Sequence, residues 1–338
     1  MGNLQRKARE GDFIETSDGL IFDVKGLLHP PDRVIAYLRY VPDRRGSRER
    51  HGTIYRKVYD LTARAKLLRE KWPTYLYKDP IFNREVQAVP VNKIARHYAP
   101  SKRLAELQRT VKPDMQERLA LDMAETLVKE TGIPPSKIGV SGSILVGLHT
   151  AKSDVDLVLY GSAVARKCLS KLQGLLNTRS QGFSPYEKSD LRKLYLKRGQ
   201  WASLPFEDFV KHERSKVLQG KYMQTDYFIR CIKEEEESEE SYGDIKYYPV
   251  GRATVRATIS DDSDSIFTPS TYRLINARVI GKHHALNQIV SFRGRFCEQA
   301  HTGEKIYSRG SLERVVGRQR QTYRLVIGEN PCDCLMVV

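Results

Sequence analysis

The chain has 338 residues, with 57 Lys and Arg against 41 Asp and Glu and a formal net charge of +16, a balance that favours polyanionic partners. It contains no run of about eighteen apolar residues, and its start, "MGNLQRKAREGDF", lacks the apolar segment of a signal peptide; a cytoplasmic protein with no membrane partner is expected. The five cysteines, Cys168, Cys231, Cys297, Cys332 and Cys334, are odd in number and scattered, which argues against a disulfide framework, and the closing "CDC" supplies at most half a tetrahedral zinc site.

Residues 1–112 are expected to form a basic accessory region of mixed α and β structure. "GLIFDVKGLL" and "RVIAYLRYV" read as strands around a turn at His29-Pro30-Pro31, and the basic loop "DRRGSRERHG" follows. In "TIYRKVYDLTARAKLLREK" the apolar residues Ile54, Val58, Leu61, Ala65 and Leu68 step by four and three, which predicts a helix. Lys57, Arg64 and Lys71 fall seven apart on another face of it, beside Tyr55 and Tyr59. They are candidate contacts to a nucleic-acid backbone, against the plainer reading of a solvated face.

Lys112-Pro113-Asp114 reads as a helix start, and "MQERLALDMAETLVKETG" runs helically until Gly132 and Pro134-Pro135 stop it, so a second domain, the catalytic candidate, is expected over 113–233. The strand "KIGVS" then leads into "GVSGSILVGLHTAKSDVDLVLYG". The like-charge run "EEEESEES" predicts an exposed acidic linker over 234–245. Beyond it "RATVRATI" alternates strictly, and "TYRLINARVIG", "NQIVSFRGRF" and "TYRLVIG" add short β-like runs. A small antiparallel sheet or barrel is expected over 246–338.

The stretch from 139 to 161 carries the chemistry. It is no P-loop, because Leu148 and His149 follow Gly147 where a lysine is needed, and Gly139, Gly142 and Gly147 lack the spacing of a dinucleotide fingerprint. A hydrolase elbow fails because Ser143 stands where its second glycine should be. What remains is a Gly-Ser turn between strand and helix, followed by Asp154-Val155-Asp156 running into "LVLY". Residues i and i+2 of a strand share a face, so both carboxylates project together, and two anions so close call for a hard cation, Mg²⁺ or Mn²⁺. Gly142 allows close approach of the backbone to a ligand, and Ser143 can hold phosphate oxygens; metal and phosphate together imply a nucleotide.

At Gly142-Ser143 and Asp154-Val155-Asp156 the sequence resembles the DNA polymerase beta-like nucleotidyltransferase superfamily, whose signature is a Gly-Ser turn followed after about ten residues by Asp-x-Asp in an apolar strand. The resemblance spans roughly residues 113–232 and implies an α+β fold, a nucleotidyltransferase-type mixed sheet with helices. It also implies a third carboxylate on a neighbouring strand. Asp226 in "KYMQTDYFIRCI" is the candidate; Glu207 and Asp208 in "LPFEDFV" read better as a helix turn. Implied with it is two-metal nucleotidyl transfer from an NTP, with Asp154, Asp156 and Asp226 as catalytic and metal residues, Gly142 and Ser143 on the nucleotide, and Asp226 as the nearest base. The whole chain also looks like a group of uncharacterised archaeal nucleotidyltransferases, whereas it is shorter than the CCA-adding group and lacks a clear counterpart of its tail domains.

With the positive charge, the acceptor is expected to be RNA or another polyanion. A nucleic-acid-binding protein that keeps the fold without transfer, and transfer to a protein or small molecule, stay open as alternatives. Lys193 and Lys197, in the basic stretch "DLRKLYLKRGQW", are further candidate nucleic-acid contacts. His149 could touch a nucleotide, His283-His284 has no second ligand cluster nearby, and Trp72 and Trp201 are candidate base stackers or core residues.

Overall fold

Two short apolar stretches near the N-terminus, β1 (Phe13–Thr16) and β2 (Ile21–Val24), pair antiparallel across a tight turn at Gly19, whose φ of +75° only glycine adopts without strain. The sheet grows by β3 (Arg33–Pro42), β4 (Arg48–Arg50) and β5 (Thr53–Lys57), in the order β4-β5-β3-β2-β1-β8. Helix α1 (Leu61–Lys71) follows, then β6 (Leu76–Asp79), β7 (Arg84–Pro90), which pairs with β3, and β8 (Ile94–Tyr98). The structure, a computed structural model, describes all residues except 1–3, 5, 199–203, 239, 282–284 and 319.

The helix expected from Thr53 onward is corrected. Thr53, Ile54 and Tyr55 are strand formers and pair with β4, and α1 starts only after Asp60, whose carboxylate accepts from Ala63 N at 2.7 Å as an N-cap. Lys57, Arg64 and Lys71 therefore share no helix face. Arg64 is buried, its Nε donating to the Val58 carbonyl at 3.0 Å, and Lys71 sits in the last turn.

Helix α2 (Pro100–Arg109) precedes α3 (Met115–Thr131), which Asp114 and Glu117 start as a capping box and Gly132, at φ +62°, ends. Strand β9 (Ile138–Val140), the single-turn α4 (Gly142–Leu145), β10 (Val155–Tyr160) and α5 (Ser162–Thr178) follow. Then come β11 (Phe183–Ser184), α6 (Lys188–Arg198), α7 (Phe206–Arg214) with Glu207 and Asp208 in its first turn, β12 (Gln219–Tyr222) and β13 (Thr225–Ile232). The sheet order is β11-β12-β13-β10-β9, with β10 antiparallel to β9 and parallel to the middle strand β13.

The remaining strands are β14 (Lys246–Asp261), β15 (Ser270–Val279), β16 (Leu286–Ser291), β17 (Lys305–Val316), β18 (Gln321–Val326) and β19 (Cys334–Val337). They run in the order β14-β15-β16-β18-β17, and β17 pairs back onto β14, closing a barrel to which β19 adds. One pairing, β16 with β18, is parallel. The alternation read in "RATVRATI" points Ala253, Val255, Ala257 and Ile259 into the barrel core, where they meet Tyr272, Ile289, Leu312 and Leu325. The chain is thus mixed α+β, with three sheets and seven α-helices among the described residues. No helix of those residues is long and apolar enough to cross a membrane, and all five cysteines are free.

The chain forms two compact units, one of residues 1–79, 84–172 and 222–242, the other of 80–83, 173–221 and 243–338. The boundary expected at residue 113 falls inside the first unit. The acidic segment expected over 234–245 does hold the division between the units, at 242/243, and Glu235, Glu236, Glu237, Glu240 and Ser241 are exposed, but the run is tied down. Glu234 pairs with Arg9 and Lys137, each at 2.7 Å, Glu235 pairs with Lys7, and Glu237 accepts from Ser162 N at 2.9 Å, so cations of the first unit absorb the mutual repulsion.

Arg64→Ala is expected to lower the free energy of unfolding by about 1–3 kcal/mol in urea denaturation, because it orphans the buried Val58 carbonyl. An unchanged stability would show that Arg64 serves the solvent face instead.

Candidate functional site

The Gly-Ser turn and the Asp-x-Asp strand are in direct contact. Ser141 N donates to the Asp156 carbonyl at 2.8 Å, and Ser141 Oγ donates to the Gly11 carbonyl at 2.7 Å. Gly142 holds φ at +62°, and a Cβ there would lie 1.9 Å from Asp156 Oδ2 and 2.7 Å from its Cγ, so no other residue fits. After the turn, Leu145, Val146 and Leu148 bury themselves against Phe13, Ile21, Tyr40 and Tyr55 of the N-terminal sheet. Arg48 donates to the Leu148 carbonyl, and Arg50 to the Val146 carbonyl at 3.1 Å. The buried Ser143 hydroxyl has no hydrogen-bond partner among the described residues.

These residues open on a small cleft within the first unit, lined by Phe13, Asp23, Arg39, Tyr40, Lys57, Ser141, Gly142, Ser143, Asp156, Leu157, Phe228 and Arg230. Asp154 and Asp156 are partly exposed while Val155 and Leu157 between and beside them are fully buried, so the two carboxylates share a face. The parallel register pairs Val155 with Tyr227 and Asp156 with Phe228; one step earlier, Asp154 stands opposite Asp226. The three sequence-predicted carboxylates thus stand on one face where β10 and β13 begin, Asp154 immediately before β10; Asp156 lines the cleft, and Asp154 and Asp226 are not among its lining residues. Among the described residues, the three-residue group whose ligand atoms gather within 4.8 Å is a different one, Asp114, Glu117 and His149. There Asp114 caps α3, Glu117 closes its capping box and pairs with Arg103, and His149 Nε2 bonds Asp114 at 2.6 Å. His149 therefore contacts a helix cap.

The charges around Asp156 oppose one another. Removal from water and the nearby Asp154 carboxylate raise its pKa to about 7, while Arg230, Lys57 and Arg39 pull the other way. Burial lowers the Lys57 pKa, with Arg39 adding to the effect and Tyr59, Asp154 and Asp156 resisting it. Asp23 behaves oppositely to Asp156: burial would raise it, but Lys25, Arg230 and Arg39 outweigh burial and hold it at about 2. Lys25 bridges Asp23 at 2.9 Å and the buried Glu10 at 3.0 Å, and Arg230 pairs with Glu10 and lies 3.6 Å from Asp23. Tyr59, 60% exposed, stands near this rim with the Lys57 ammonium 4.8 Å from its ring centre.

Of the other sequence candidates, Lys57 reaches the cleft, though from the end of β5 rather than from a helix. Lys193 and Lys197 are exposed on α6 in the second unit. Trp72 caps the end of α1 and packs on the N-terminal core; Trp201 and His283-His284 lie outside the described residues. Asp23, Arg39, Tyr40 and Arg230 were missed. Two left a signal: Asp23 interrupts the apolar run "LIFDV" as Asp156 interrupts "VDLVLY", and Arg230 follows Asp226 by four residues on the same strand face. Arg39 and Tyr40 carried none.

No protein-family model matches the chain, and no solved structure matches it. It is 30% identical over 331 residues to a protein of the archaeon Methanocaldococcus jannaschii described as "Uncharacterized protein MJ1086", an alignment that covers 95% of this chain and 96% of that one. The alignment runs through the N-terminal sheet, the cleft and the barrel alike, and at that identity and coverage this chain belongs to the same family as the M. jannaschii protein.

Proposed function

We propose that this protein is a divalent-cation-dependent nucleotidyltransferase, in which an RNA hydroxyl attacks the α-phosphorus of an NTP, forming a phosphodiester bond as the α–β phosphoanhydride breaks and pyrophosphate leaves. The observation that carries the reading is the Gly142 backbone pressed on the Asp156 carboxylate, with the orphaned Ser143 hydroxyl opening on the same cleft. Asp154, Asp156 and Asp226 are an all-oxygen donor set, and burial together with the Asp154 charge raises Asp156 to about 7, a penalty on its charged form that a hard cation relieves. Asp154 and Asp156 would hold the ion on the triphosphate, and all three the ion at the attacking hydroxyl. Bound Mg²⁺ or Mn²⁺ supplies neutralisation of the triphosphate charge and an easier ionisation of the acceptor hydroxyl.

The chain's own groups do the rest. Ser143 Oγ donates to a phosphate oxygen, which gives it the partner it lacks. Lys57 and Arg39 attract the triphosphate, and Tyr59 offers an exposed ring to a base. Asp226, exposed at the cleft end of β13, is the nearest base for the acceptor proton. The net charge of +16 suits a polyanionic acceptor.

Incubating the protein with each α-labelled NTP, Mg²⁺ or Mn²⁺ and an RNA pool should move label into RNA, and the Asp154→Ala/Asp156→Ala double variant should move none. Equal labelling by the double variant would overturn the site; no labelling by the parent protein would leave the binding-protein reading. Gly142→Ala should cost about 100-fold or more in transfer rate, since its methyl displaces the Asp156 carboxylate.

The raised Asp156 pKa also sets a pH dependence. Between pH 4 and about 7 the folded chain keeps a proton that the unfolded chain has lost, so this carboxyl's contribution to stability falls as pH rises through that window. Asp156→Asn, which imitates the neutral form, is expected to melt above the parent protein at pH 8 and close to it at pH 5. Millimolar Mg²⁺ should raise the melting temperature of the parent and not of the variant. Identical melting curves at pH 8 without metal would show that Asp156 is not held in a strained charge state.

A further inference from the structure

The barrel of the second unit closes in the order first, second, third, fifth, fourth strand and back to the first, with the third and fifth parallel. That is the connectivity of the OB barrel, an architecture that binds oligonucleotides and oligosaccharides on the face of its second and third strands and on its loops; the surface formed by the first, second and fourth strands of this barrel is a different one. Its long first strand, β14, pairs with β15 on one side and β17 on the other, so the three form one continuous outer surface.

The registers say what that surface displays. In an antiparallel pair, residues directly opposite each other stand on the same face. Arg256 of β14 is flanked by Arg278 of β15 and Tyr307 of β17. One row along, Thr258 lies between Ile275 and Lys305; in the other direction Thr254 faces Arg309, whose guanidinium donates to the Tyr307 hydroxyl at 3.2 Å. Arg256, Arg278, Lys305 and Arg309 are exposed, and no carboxylate stands in these rows. Two arginines directly opposite each other repel, and neither Arg256 nor Arg278 has an ion-pair partner among the described residues. An external polyanion would remove that repulsion. Tyr307, half-buried between the arginines, supplies a ring face, and Ile275, 51% exposed, supplies apolar surface beside it.

We propose that the outer face of β14, β15 and β17 binds single-stranded RNA, with Arg256, Arg278 and Arg309 on phosphates and Tyr307 stacked on a base. Positive strands with an interleaved aromatic are the means by which single strands are held without reading sequence, because every base has a π face and every nucleotide a phosphate. A duplex hides its base faces from Tyr307. The choice of RNA rests on the acceptor named above; the surface itself does not depend on catalysis.

The test is fluorescence anisotropy of a labelled uridine dodecamer with the full-length protein, without NTP or divalent metal, over a salt series. Arg256→Ala/Arg278→Ala/Arg309→Ala is expected to weaken binding at least 10-fold and to reduce the log–log salt slope by about 2, since each lost phosphate contact on a single strand removes about 0.7. Tyr307→Leu should weaken binding about 5-fold or more at an unchanged slope, and Tyr307→Phe should restore it. Asp156→Ala should bind as the parent does, which separates the two readings: if no label transfer is ever seen yet the triple variant loses RNA, the barrel site stands and the enzyme reading falls. A triple variant with unaltered circular dichroism and affinity within twofold of the parent overturns the barrel site, even if transfer is robust. Tighter binding of a duplex of equal length, or binding to anionic vesicles and not to the dodecamer, overturns it as well.

Discussion

The cleft of the first unit is built around one contact, that of the Gly142 backbone with the Asp156 carboxylate. A side chain at 142 is impossible there, and the left-handed φ makes glycine the residue of least cost. The turn is fixed from three sides: Ser141 is bonded to β10 and to Gly11, α4 drives Leu145, Val146 and Leu148 into the N-terminal sheet, and Arg48 and Arg50 hold the carbonyls that follow. Two features that stand fourteen residues apart in the sequence are one physical object, a carboxylate pressed against main chain.

Such a carboxylate needs counter-charge, and most of it comes from residues distant in sequence. Arg39 and Lys57 arrive on strands of the N-terminal sheet, Arg230 on β13. Arg230 is in turn held by Glu10 and Asp23, with Lys25 across the same two acids. A network of this kind contributes little net stability, because desolvating its members costs about as much as their attraction returns. Its use is geometric: it fixes the Arg230 guanidinium beside Asp156 and leaves that carboxyl with a raised pKa while Asp23, facing the same two arginines and Lys25 as well, stays ionised. The N-terminal region is thus part of the cleft and not an accessory to it.

The second unit solves a different problem. Strict alternation along β14 sends Ala253, Val255, Ala257 and Ile259 inward to a core shared with five other strands, and the β14–β17 pairing closes the barrel, leaving β19 at the edge. What alternation buries on one side it exposes on the other, and the outward positions in the rows around Arg256 are Arg, Thr, Lys and Tyr with one isoleucine, Ile275. Core and charged face come from a single period of two.

Much of this was legible in the chain. The Gly-Ser turn, the paired aspartates on one strand face, α3 with its capping box and glycine stop, and the alternating strands of the barrel are all set by local periodicity and by caps that act over a few residues. The reading failed where local signals competed: the four-and-three spacing from Ile54 to Leu68 looked helical across a segment that opens as a strand. The glutamate run is exposed at the division between the units, as read, but its partners Arg9 and Lys137 lie too far off in sequence to be seen. By itself, then, the sequence determined which residues could carry the chemistry and which strands would have a buried face. Only the tertiary structure decided that Asp23, Arg39, Lys57 and Arg230 meet Asp156 in one cleft and that Arg256 stands between Arg278 and Tyr307. Strand pairing and long-range charge compensation are fixed by the register and burial of segments distant along the chain, and no local window contains that information.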